Sequence, residues 1–78
     1  MKNQVPEQLF LLVMRQLEIQ RDIDLLEIQE LFNRPVDKEG TRDRIERIIS
    51  RTKLALDSEQ AINFLKEYFT QETDEKNE

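Results

Sequence analysis

The sequence predicts an all-α fold, a small bundle of three or four short helices with dimerisation as the way to complete it. Three observations point there. A single Gly and two Pro in 78 residues leave little turn chemistry for a β fold. No stretch of four or more residues alternates apolar and polar side chains between turn signals. Apolar residues instead recur at helical spacing, in segments opened by capping patterns.

Met1 to Val5 reads as a loose start. Pro6 followed by Glu7 suits a first helical turn, where a missing N–H costs nothing and a carboxylate meets the positive end of the dipole, and predicts a helix to Gln20. Its apolar residues are Leu9, Phe10, Leu11, Leu12, Val13, Met14, Leu17 and Ile19, and the consecutive ones cover the whole circumference at about 100° per residue. Such a helix has no solvent side along those turns, so it is either the central element or partly covered by another chain.

Asp24 with Glu27 forms a capping box and predicts a second helix over 25–33, with Leu25, Ile28, Leu31 and Phe32 on one face. The rival parse is one helix from Pro6 to Asn33, about 42 Å long. A break near Arg21 to Asp24 is preferred because Gln20 and Asp24 do not continue the stripe of Leu9, Val13 and Leu17, while Ile19, Ile23 and Leu26 open a different face.

Asn33-Arg34-Pro35 ends that helix, since the residue before Pro is pushed out of the α region. Val36 to Gly40 is a polar connection. Thr41 is the expected N-cap of a third helix, 41–56, with Ile45, Ile48, Ile49, Thr52 and Leu56 in a stripe. Asp57 with Gln60 forms another capping box, opening a fourth helix from Ser58 to Thr70 that buries Ala61, Ile62, Leu65, Tyr68 and Phe69. The domain is 1–70, and 71–78 is expected to be a disordered acidic tail.

Composition closes most enzymatic routes. With no Cys and no His there is no disulfide, thiolate nucleophile, Cys/His zinc site or imidazole acid–base group, and no metal or cofactor is expected. Carboxylate pairs such as Glu18 with Asp22 and Glu27 with Glu30 share a helix side, but acid–base work needs one member desolvated in a pocket. They read as solvated faces and caps, and the chain as no enzyme. The longest apolar run, Leu9 to Met14, is far below the ~18–20 residues that span a bilayer, so a cytoplasmic protein without membrane contact is expected.

The net charge of −5 hides a pattern. Residues 1–33 carry 3 basic and 6 acidic groups, residues 34–53 carry 7 and 4, and residues 54–78 carry 2 and 7, giving −3, +3 and −5. Within the basic middle, Arg44, Arg47 and Arg51 at i, i+3 and i+7 form a ridge beside the isoleucine stripe, with Arg42 and Lys53 on the opposite flank. The ridge either binds a partner with an acidic surface or pairs internally with carboxylates such as Asp22, Glu27, Glu30, Glu59 and Glu67.

Two function classes follow. The preferred one is a small non-enzymatic adaptor or regulatory protein acting through protein–protein contacts as a homodimer, because a chain this small without disulfide or metal gains most from a second copy. Leu9, Phe10, Leu12, Val13 and Met14 would carry self-association, and Arg44, Arg47 and Arg51 partner contact. The alternative is a DNA-binding regulator. Glu27-Ile28-Gln29-Glu30-Leu31-Phe32 followed by Thr41-Arg42-Asp43-Arg44-Ile45-Glu46-Arg47-Ile48 resembles the helix-turn-helix of sigma-factor region 4. The resemblance covers residues 27–48 and implies DNA reading by a helix pair, residues 25–33 and 41–56, but it departs at the turn, which here runs from Asn33 to Gly40. Asp43 and Glu46 on the reading helix would repel phosphates, and no aromatic lies among the basic residues to stack a base. Nucleic acid is therefore the less favoured partner.

Overall fold

In the computed structural model, which describes residues 2–35 and 40–71, two long helices replace the expected three or four short ones. Strand β1 (Asn3–Val5) leads into α1 (Glu7–Asn33), and α2 (Thr41–Tyr68) leads into β2 (Phe69–Gln71). The helices fold back on one another as a hairpin, 62 × 18 × 15 Å overall, with a radius of gyration of 17.8 Å. A globular chain of this length has a radius of gyration of about 11–12 Å. The hairpin is a rod.

Each helix boundary has a local cause. At the start of α1 the Phe10 amide donates to the Pro6 carbonyl at 3.0 Å, and Glu7 supplies a negative charge in the first turn. The helix stops where Arg34, held before Pro35, turns extended at φ −70°, ψ 148°. The second helix begins after Gly40, whose carbonyl accepts from the Arg44 amide at 2.9 Å, with Asp43 in its first turn. It ends at Phe69, which is extended and donates its N–H to the Leu65 carbonyl.

The expected breaks at Arg21–Asp24 and at Asp57 do not occur. Neither helix contains a Gly or Pro, so nothing opposes propagation once a turn has formed. A capping box stabilises a helix start by about 1 kcal/mol and cannot by itself end the helix running through it. The least exposed residues then explain why both helices stay straight against each other. On α1 they include Phe10, Met14, Leu17, Arg21, Asp24, Ile28 and Leu31; on α2 Thr41, Arg44, Ile48, Arg51, Ala55, Ser58, Ile62 and Leu65. Steps of three and four alternate throughout, the 3.5-residue repeat of a coiled-coil seam.

At the open end the chain segments before α1 and after α2 are stitched together. β1 and β2 pair in parallel, Asn3 with Phe69, Gln4 with Thr70 and Val5 with Gln71, and the Asn3 side-chain amide donates to the Tyr68 carbonyl at 3.5 Å. The expected loose start is thus a short strand, the expected fourth helix ends at Tyr68, and Gln71, assigned to the tail, belongs to β2. The rest of that tail, 72–78, and most of the expected connection, 36–39, lie outside the described residues.

Candidate functional site

The middle of the seam is charged. Asp24 is 0% exposed, and its Oδ1 accepts from Arg51 Nη1 at 3.3 Å while Oδ2 is buried without a hydrogen bond. Arg51 Nε also reaches Glu27 Oε1 at 3.2 Å. One layer along, Arg21 Nη1 meets Glu59 Oε1 at 2.9 Å and its Nε meets Asp22 Oδ1 at 3.1 Å. The hydrogen bond to Glu59, followed by that to Asp22, holds the Arg21 guanidinium above its ordinary basicity. Ser58 completes the buried polar set. Apolar core lies on both sides of this layer, Met14 and Ile62 towards the strands and Leu31 towards the turn, with Ala55 inside it between Arg51 and Ser58.

The basic ridge is divided by this arrangement. Arg51 is held in the seam by Asp24 and Glu27, one of the internal partners considered above. Arg44 is held at the turn, where Nη1 donates to the carbonyls of Leu31 at 3.0 Å and Arg34 at 2.7 Å, and Nη2 to that of Pro35 at 3.0 Å. Its guanidinium satisfies carbonyls that the end of α1 leaves without helical partners. Arg47 is exposed and lines the shallow depressions beside the turn. Arg42 and Lys53 are exposed as well. The two segments of the helix-turn-helix resemblance are stretches of α1 and α2, longer helices lying along one another in the hairpin.

The self-association set is divided too. Met14 is buried in the seam and Phe10 half-buried beside it, whereas Leu9, Leu12 and Val13 are exposed. Leu9, Phe10 and Val13 join Val5, Leu65 and Phe69 around an apolar depression at the strand end. Along the outside of α1, Leu9, Leu12, Ile19, Ile23 and Leu26 are 46–67% exposed and fall at positions 9, 12, 19, 23 and 26, with Gln16 in the remaining place of the repeat. These steps of three and four make a second coiled-coil stripe on the side away from α2. On α2, exposed Ile45, Ile49 and Leu56 form a further stripe, with Thr52 filling its repeat and Arg42 and Lys53 at its edge.

Both outer stripes are visible in the sequence, the first as the change of face that suggests a helix break, whereas the Asp24–Arg51 pair is not. The signal for the faces was present, because Ile19, Ile23 and Leu26 already leave the inner stripe. Among the described residues no group of three or more metal-ligating side chains is gathered, and no helix is long and apolar enough to cross a membrane. No protein-family model, curated protein or solved structure matches the chain.

Proposed function

We propose that the chain is a small non-enzymatic adaptor or regulatory protein that works through protein–protein contacts as a homodimer. The observation that supports this reading is where the apolar residues lie. Met14, Leu31, Ala55 and Ile62 are the apolar residues buried among those described, while fifteen large apolar side chains on the two helices are 41–67% exposed. Exposed apolar side chains gathered into stripes of this kind, one on each helix, are what an interaction face supplies. Asp24, the carboxylate that is fully buried among the described residues, shares the Arg51 guanidinium with half-buried Glu27, which leaves both poor candidates for acid–base chemistry.

Division of labour between the helices follows from their edges. The outer face of α1 serves self-association. The stripe of Ile45, Ile49 and Leu56, with Arg42 and Lys53 beside it, fits an amphipathic helix of a partner with an acidic surface, whereas Arg47 lies on the opposite edge of α2 and takes no part in that face. Light scattering over a wide concentration range is expected to show a mass rising to twice 9.4 kDa. A mass fixed at 9.4 kDa overturns the homodimer. For the partner face, Ile45→Asp with Ile49→Asp is expected to abolish partner recovery in affinity capture while leaving the dimer intact; undiminished recovery overturns that assignment.

A further inference from the structure

The outer stripe of α1 has a symmetry of its own. Positions 9, 12, 16, 19, 23 and 26 advance by steps of three, four, three, four and three, a series that reads the same in both directions. Laid antiparallel on a second copy, the stripe therefore meets itself in register. Leu9 falls opposite Leu26 of the second copy, Leu12 opposite its Ile23, and Gln16 opposite its Ile19. Alternating stripe positions then pack in layers, as an antiparallel coiled-coil pair requires.

Charge obeys the same symmetry. Arg15 and Asp22 lie one residue before Gln16 and Ile23, on one edge of the stripe, and both are exposed. Reversal places Arg15 beside Asp22 of the second copy and Asp22 beside its Arg15, so opposite charges meet at both ends of the central layers. In a parallel pairing with equal register each charge would lie level with its own kind. Gln16, the polar residue in the stripe, falls on either side of the axis, where a polar side chain fixes register at some cost in stability.

We propose that α1 packs against α1 of a second copy, antiparallel, about a two-fold axis passing between Leu17 and Glu18, with Arg15 and Asp22 as reciprocal partners across it. This names the interface of the homodimer proposed above and rests on that reading.

The test is sedimentation equilibrium on the full chain with charge exchange. Arg15→Asp sets acid against acid at both contacts and Asp22→Arg sets arginine against arginine, so each is expected to weaken association at least about tenfold. Mixing the two variants joins a copy carrying only acids at these positions to one carrying only arginines, and is expected to restore assembly. Singles that associate like the parent, or a mixture no tighter than its components, overturn the interface. A second readout is independent of charge. With no native Cys, Gln29→Cys gives a unique spin-label site, and the antiparallel axis places the two labels roughly 35 Å apart along the helices, at 1.5 Å per residue. Short distances there overturn the antiparallel arrangement. A parent chain that stays monomeric removes the homodimer reading as well, whereas a dimer indifferent to the exchange and showing the short distance removes this interface alone.

Discussion

Halfway along the rod, the two sides of α1 carry the residues one would expect on each other's side. Facing α2 are Arg21, Asp24 and half-buried Glu27, while the outward side at the same height presents Ile19, Ile23 and Leu26. Towards either end the inner side is conventional, with Met14 and Leu31 buried. A seam charged at its centre is held by geometry and partner matching, because the desolvation cost of an ion pair offsets much of its attraction. An apolar outer face gains free energy only when something covers it. The inner face thus specifies which residues of α1 and α2 lie level, and in the proposed dimer the outer face supplies the drive to associate.

Changes to either side test that contrast, and the largest effect is expected outside. Ile23→Asn removes two apolar side chains from each proposed dimer and is expected to weaken association by roughly 3–6 kcal/mol, read by sedimentation, while circular dichroism of the variant retains its helical signal. Inside the seam, Arg51→Met leaves Asp24 buried without its cation. A loss of about 3 kcal/mol is expected in denaturant unfolding at fixed chain concentration, the low end of the range because Arg51 keeps some solvent access.

Replacing both members of the buried pair reverses the sign, since Glu27, left without Arg51, keeps 30% of its side chain exposed to water. Asp24→Leu combined with Arg51→Leu also removes the unsatisfied Asp24 oxygen and is expected to raise stability by about 1–3 kcal/mol. If the double variant is instead as unstable as Arg51→Met, the pair contributes net stability and the contrast between the two faces fails. The smallest effect belongs to the turn, where Arg44→Ala is expected to cost about 1–2 kcal/mol in the same assay.

Much of the fold was legible where backbone chemistry speaks locally. Pro35 fixed the end of α1, and the apolar run from Leu9 to Met14 announced a helix with more apolar circumference than one neighbour covers. The number of helices was not legible, for a physical reason: a seam is defined by position, and when Arg21 and Asp24 occupy seam positions the hydrophobic period breaks although the helix does not. Asp24-x-x-Glu27 then imitates a helix start with two carboxylates that Arg51 holds from across the hairpin. The three-residue strands carry no alternation long enough to see. Of the ridge, Arg44 was the least readable, because its acceptors are backbone carbonyls, which every sequence has.

The stitch between β1 and β2 also orders folding in time. Asn3 and Tyr68 are 65 residues apart, while Arg44 reaches Leu31 across only 13. Loop-closure entropy rises with separation, so the turn end closes first and contacts then zip along the seam towards the strands. Amide exchange is expected to follow the reverse path, with the Phe69–Gln71 amides opening before those of the mid-helix seam, so the rod unzips from its strand end.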